Sequence, residues 1–161
     1  AFLPLGGSGK DWKQEGCAAY LQMVSRLRTA GEMAKQEGIT IGIRTGMDAK
    51  FDKKLLKKVG SSQIKVYYNF QDAADHHRDI CKELRKLGAQ RIVQIHASNT
   101  DSVNLQEDPE INLPKIRKTL DKMKWSGWLV VERSRDVKRV RDVKYNFGRN
   151  IAYLKQVFQE R

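Results

Sequence analysis

Three β-rich runs in this 161-residue chain end in residues able to do chemistry. Residues 39–44 end in Arg44, 92–96 in His96, and 127–132, read as a buried run, in Glu132. An imidazole and a carboxylate at successive strand ends suggest a site and can share a divalent cation. Arg44 opposes this, because a guanidinium stays charged near neutral pH and repels a metal. The expected structural consequence is an Arg44–Glu132 ion pair across the strand ends. Plainer readings stand beside these. His96 alone also fits a buried, hydrogen-bonded core histidine, and Glu132 a partner of Arg133, Arg135 or Arg44.

Other candidates carry less. His76 and His77 are adjacent, so on a helix they point about 100° apart and cannot share one metal; they read as solvated helix residues. Cys17 and Cys81 lie far apart, form no C-x-x-C pair and read as reduced core thiols. Gly6-Gly7-Ser8-Gly9 looks like a phosphate-cradling turn but lacks the G-x-G-x-x-G register and a Walker lysine. It reads as a flexible βα turn, with Gly7 and Ser8 kept as candidate phosphate contacts. Trp12, Trp125 and Trp128 are read as packing residues. No Ser-His-Asp or Cys-His arrangement can be argued.

The net charge of +12 raises the possibility of a polyanionic partner. The placement of the charge argues against nucleic acid. Lys50, Lys53, Lys54, Lys57 and Lys58 follow one helical pattern, Lys82, Arg85 and Lys86 a second, and Lys115, Arg117, Lys118, Lys122 and Lys124 a third. Each set is interleaved with apolar anchors, as on the outer face of an amphipathic helix. The densest run, from Arg133 and Arg135 to Lys144, lacks aromatic residues for base stacking and is the best candidate for a phosphate contact. No apolar stretch approaches the roughly 18 residues that span a membrane, no secretory signal pattern opens the chain, and the cytoplasm is the default expectation.

Short β-rich runs alternate with longer helical ones, which predicts a single α/β domain over 1–161 with a parallel sheet. Strands are expected at 1–5, 39–44, 64–69, 92–96 and 127–131. Helices are expected near 12–36, after Asp48 as N-cap up to Gly60, near 73–87, from Pro114, and near 142–158 with Phe147, Ile151, Leu154 and Phe158 buried.

In this order, Phe-Leu-Pro-Leu (2–5), Gly38-Ile-Thr-Ile-Gly-Ile (38–43), Val-Tyr-Tyr-Asn (66–69), Ile95-His96 and above all Trp-Ser-Gly-Trp-Leu-Val-Val-Glu-Arg-Ser (125–134) resemble a known family. It is the C-terminal part of a xylose isomerase-like TIM barrel of the sugar phosphate isomerase/epimerase group. The resemblance implies a partial (β/α) barrel whose strands correspond to the family's fourth through eighth. It also implies a divalent metal (Mn, Mg, Co or Zn) held by Glu, Asp, His and Glu at the last four strand ends, with proton transfer next to the carbonyl of a small sugar. His96 and Glu132 stand at two of those places, with Glu132 as the catalytic carboxylate. Asn69 stands at the Asp place as a weakened ligand, and Arg44 replaces a Glu. Asp72, Arg133 and Arg135 are further candidate substrate or phosphate contacts.

A closed eight-stranded barrel takes roughly 250 residues, and about five units are legible here. Exposed strand edges, and hence a homo-oligomer, are expected. The function reading is therefore a metal-dependent sugar isomerase or epimerase, or sugar-phosphate isomerase or epimerase, impaired by Arg44 and by truncation to about five units. The alternatives are a non-catalytic or engineered barrel fragment that self-associates, and a nucleic-acid-binding relative of the barrel endonucleases.

Overall fold

The computed structural model describes residues 1–5 and 11–160; Gly7 and Ser8 lie outside the described residues. Five parallel strands form one sheet in chain order: β1 (Phe2–Pro4), β2 (Ile41–Arg44), β3 (Ile64–Asn69), β4 (Ile92–His96) and β5 (Trp128–Val130). Parallel neighbours require crossovers, and helices supply them. These are α1 (Ala18–Gln36), α2 (Ala49–Val59), α3 (Phe70–Ala74) with α4 (Ile80–Leu87), and α5 (Leu113–Lys122); α6 (Val143–Phe158) follows β5. A strand order without reversal is that of a barrel wall and differs from a doubly wound sheet, which changes direction at a switch point. The chain is a partial barrel. Among the described residues, β1 and β5 each pair on one side only.

The two-residue period of the strands sorts their side chains between a helix-covered face and an inner face. Ile43, Ile64, Val66, Tyr68 and Ile95 join Leu27, Leu55, Val59, Leu84, Leu87 and Ile116 in one core. On the inner face, a Cβ added at Gly42 would lie 2.8 Å from Val93 Cγ1 and 3.2 Å from Tyr67 Cβ. Only glycine fits there. Tyr67 fills the space, its ring centroid 4.6 Å from that of Phe2 and 5.8 Å from that of His96.

Several expectations are corrected by local chemistry. The first long helix begins at Ala18, because Gly16 adopts a left-handed φ of 86° and the Cys17 Sγ accepts the Tyr20 N–H as a cap. The expected 73–87 helix is two helices. Asn69 caps α3 directly off β3, and Asp79 starts α4 by accepting the Lys82 N–H. His76 and His77 therefore sit exposed in the turn between them and not on a helix. The run to Glu132 is not buried: β5 is an edge strand and Trp128 is 77% exposed, so Trp128 is not a packing residue. On α6, Leu154 is buried, Phe147 and Phe158 are half-buried, and Ile151 is exposed. These residues line an open apolar cleft with Trp125 and Leu129. The lysines face solvent as expected, but half-buried Arg117 donates to the carbonyls of Val157 and Glu160 at the end of α6. No described helix is long and apolar enough to cross a membrane.

Asp52 is a polar residue inside this core. Its Oδ1 accepts the Thr45 hydroxyl at 2.6 Å, and burial, with Glu83 and Asp48 adding to it, pushes its carboxyl up to about 7. Because the folded form keeps a proton that the unfolded chain releases near pH 4, stability falls as pH rises from about 4 to about 7 and is level above that. Asp52→Asn retains an acceptor for Thr45 and removes the titration. Urea unfolding across pH 4–8 should show the variant losing less stability than the parent, by a few kcal/mol on the order-of-magnitude scale of a three-unit shift. Parallel pH profiles for the two proteins would contradict this.

Candidate active site

β3 runs straight into α3 because Asn69, its last residue, is also the helix cap: the Asn69 Oδ1 accepts the Gln71 N–H at 2.8 Å. That short helix brings Asp72 to the end of β2. There Arg44 grips it with two bonds, Nε to Oδ2 at 2.9 Å and Nη2 to Oδ1 at 2.6 Å. The expected Arg44–Glu132 pair is thus replaced by an Arg44–Asp72 pair. Asp72 is the partner because its fork-to-fork geometry satisfies both carboxylate oxygens, whereas Glu132 acts on Arg44 only through its field. The Asp72 bond raises the Arg44 pKa further, so the guanidinium is a permanent charge. The backbone carbonyl of Asp72 in turn accepts from Arg78 Nη2 at 2.7 Å.

His96 is level with Asn69 across the β3–β4 register and with Val130 across β4–β5. Glu132, two residues beyond Val130, points to the same inner face by strand alternation. Its Oε2 lies 2.9 Å from His96 Nε2, while the Asn69 Nδ2 lies 3.1 Å from His96 Nδ1. The amide orientation follows from the cap. A backbone N–H needs an acceptor, so the oxygen faces Gln71 and the NH2 group faces His96. Nδ1 must then accept, and the neutral ring carries its proton on Nε2, toward Glu132. Burial lowers the His96 pKa and Arg44 lowers it further, against the opposing fields of Glu132 and Asp72. The ring is neutral near pH 7. The Nε2–H is close to the Glu132 oxygen but not aligned on it, so it is a buried donor with no hydrogen-bond partner. Glu132 itself is mostly exposed.

The divalent metal implied by the family resemblance does not fit this donor set. The Asn69 oxygen is spent on the α3 cap, the Nδ1 lone pair of His96 on the Asn69 amide, and Nε2 carries the proton. Arg44 adds a fixed positive charge whose field reaches both His96 and Glu132. Among the described residues, no three His, Cys, Asp or Glu side chains converge on a point a cation could occupy.

With this geometry in place, the comparisons with known proteins can be read. The sequence matches the xylose isomerase-like TIM barrel family over residues 2–157. The chain belongs to that family. The structure of 3-keto-D-glucoside 4-epimerase YcjR from E. coli superposes with a TM-score of 0.74 at 9% identity, covering 96% of this chain and 63% of that one. D-psicose 3-epimerase from Clostridium cellulolyticum H10 gives 0.71 at 15%, covering 86% and 55%. An AP endonuclease, family 2, from Brucella melitensis gives 0.63 at 17%, covering 84% and 57%. At these identities the likeness is one of fold. This xylose isomerase-like chain spans 55–63% of the length of these three structures. No curated protein matches it.

Of the residues singled out in the sequence, Asn69, His96 and Glu132 converge, and Arg44 and Asp72 form a second pair beside them. Arg133 and Arg135 do not pair with Glu132; both bind Asp101. The sequence reading missed Asp101 and three buried asparagines, Asn104, Asn146 and Asn150, that organise the loops around it. Asn146 and Asn150, spaced i, i+4 on α6, were the one available signal.

Millimolar Mn²⁺ should leave the parent's melting temperature unchanged. In an Arg44→Glu/Asn69→Asp variant, new carboxylates face Asp72 and His96, so the apo protein should melt lower. Mn²⁺ should then raise its melting temperature, through the roughly 3 kcal/mol of stabilisation expected near a hundredfold excess over Kd. Stabilisation of the parent by Mn²⁺ would show that its donors are more accessible than drawn here.

Proposed function

We propose that this chain carries the site of a sugar isomerase-type barrel in which enolisation next to a carbonyl is performed without a divalent metal. The observation that carries the reading is the neutral His96, its proton held on Nε2 by Asn69, beside the exposed carboxylate of Glu132. A substrate carbonyl oxygen takes the place of the Glu132 oxygen at Nε2 and accepts the unpartnered N–H. Glu132, released, removes the proton from the adjacent carbon. A neutral imidazole donor and a carboxylate base are a competent pair for this chemistry, the first stabilising the enediolate oxygen and the second holding the proton. The fixed charge of Arg44 adds a stabilising field. Family membership and the epimerase fold neighbours support a polyhydroxylated carbonyl substrate.

Epimerisation needs proton removal on one face of a carbon and return on the other, and a second carboxylate is the usual means. Among the described residues Arg44 holds one such place, and Asp72 is tied to it. A single base that returns the proton to the neighbouring carbon, while the His96 imidazole gives its Nε2 proton to the carbonyl oxygen and takes one back from the neighbouring hydroxyl, gives aldose–ketose isomerisation, and that is the reaction proposed. Ketohexoses incubated in D₂O with EDTA present should exchange one carbon-bound hydrogen and yield the aldose. Glu132→Gln should lose on the order of a hundredfold or more of that exchange, the usual range for a general base. No exchange by the parent, or exchange that EDTA abolishes, would sink the proposal.

A second reading concerns assembly. Phe2 on β1 and Trp128 on β5 are exposed on strands that pair on one side only among the described residues. Open apolar edges of this kind favour self-association. Light scattering should find a homo-oligomer that Trp128→Lys weakens. A monomer at all concentrations would exclude this.

A further inference from the structure

Directly after Glu132 the backbone makes a costly turn. Ser134 is 0% exposed and has φ 70°, a left-handed conformation that non-glycine residues seldom adopt. An apparatus of buried side chains enforces it. The Ser134 carbonyl accepts from Asn150 Nδ2 at 2.7 Å and from Asn104 Nδ2 at 3.1 Å, and its hydroxyl accepts the Asn99 N–H at 2.7 Å. The Asn146 Oδ1 accepts from Asn104 Nδ2 at 3.0 Å and from the Asp136 N–H at 2.8 Å. Strain held this firmly is common where a loop must present side chains to a ligand.

The side chains presented are Arg133 and Arg135, which flank Ser134. Arg135 binds Asp101 through Nε at 2.8 Å and Nη2 at 2.5 Å; Arg133 binds it through Nη2 at 3.0 Å and Nε at 3.3 Å. One arginine would suffice to tie Asp101 to the loop. Two leave a surplus positive charge, because Asp101, held by both guanidinium groups, is pushed down to about 2 and stays ionised. Each guanidinium keeps its Nη1 without a protein partner among the described residues. The pair stays 46% and 32% exposed at the side chain. Its position is tied to the proposed reaction centre, since Ser98 Oγ accepts the N–H groups of both Glu132 and Arg133 at 2.9 and 3.4 Å. Loops after the C-terminal ends of parallel barrel strands are where substrates bind.

We propose that Arg133 and Arg135, held on Asp101, form an oxyanion subsite that takes the phosphate group of a phosphorylated sugar whose carbonyl end meets His96 and Glu132. With the Nε–Nη2 edges of both arginines taken by Asp101, their Nη1 donors and surplus charge are what suit phosphate oxygens. This deepens the isomerase reading and rests on it, so the test must separate the two. Calorimetric titration with D-fructose 6-phosphate, D-fructose and inorganic phosphate does so. The phosphorylated sugar should bind at least about tenfold more tightly than the free one, a difference of about 1.4 kcal/mol. Inorganic phosphate should compete with it. Arg133→Gln, chosen because Arg133 is the more exposed of the two, should reduce the preference to near unity in a protein whose circular dichroism and Tm match the parent. Arg133→Lys should restore it in part. Equal affinity for the two sugars would overturn the proposal, as would a preference that survives both Arg133→Gln and Arg135→Gln. Phosphate binding that Arg133→Gln removes, without binding of either sugar, would support the oxyanion subsite and sink the sugar reading. Binding of a short DNA duplex, sensitive to Arg133→Gln, with no binding of phosphate or sugar phosphate would overturn the subsite in favour of a nucleic-acid surface.

Discussion

The amide of Asn69 is the constraint from which the chemistry at the strand ends follows. One side of it must accept the Gln71 N–H in the first turn of α3, so the other must donate to His96, and the imidazole proton has a single place left to go. The same cap sets the position of Asp72, and Asp72 is what holds Arg44. A helix-capping requirement, local to three residues, thus decides the tautomer of one strand-end group and the ion-pair partner of another. An aspartate at the same place could accept from the helix and offer a second oxygen to a cation. The amide can only accept on one side and donate on the other.

This gives the molecule two unlike halves of a sheet. The helix-covered face is dense and apolar, and Asp52, an ionisable residue buried in it, stays protonated into the neutral range because burial outweighs its bond from Thr45. The inner face is closed low down by Tyr67 over Gly42 and polar at the strand ends. Charge there is arranged in fixed pairs, Arg44 with Asp72 and the two loop arginines with Asp101, around the less constrained carboxylate of Glu132. An exposed carboxylate among immobilised charges is the arrangement that the proposed proton transfer would use.

Besides the ion pairs on Asp101, the loops beyond β4 and β5 are held by uncharged groups. Asn104, Asn146 and Asn150 are buried almost completely and supply donors to carbonyls that a short edge strand leaves unpaired. Hydrogen bonding of this density explains how a serine tolerates a left-handed backbone beside the site. It also explains why so short a strand as β5 can carry Glu132 to a defined place.

Much of the fold was legible in the residues. Strand positions followed from β-branched runs, and helix limits at Asp48, Gly60 and Pro114 followed from capping chemistry, because those signals act within a few residues. The strand-end identities of Arg44, Asn69, His96 and Glu132 were equally local. What the sequence could not determine was pairing. Glu132 was the expected partner of Arg44, and the observed one, Asp72, depends on how far a five-residue helix carries it across to β2. Burial at β5 and α6 was misjudged for a related reason: apolar composition describes what a strand could bury, whereas its place at the sheet edge decides what it does bury. Types of residue and their spacing along the chain are one-dimensional facts. Which donor meets which acceptor is set by separations of a few ångströms between residues tens of positions apart, and only the folded chain contains them.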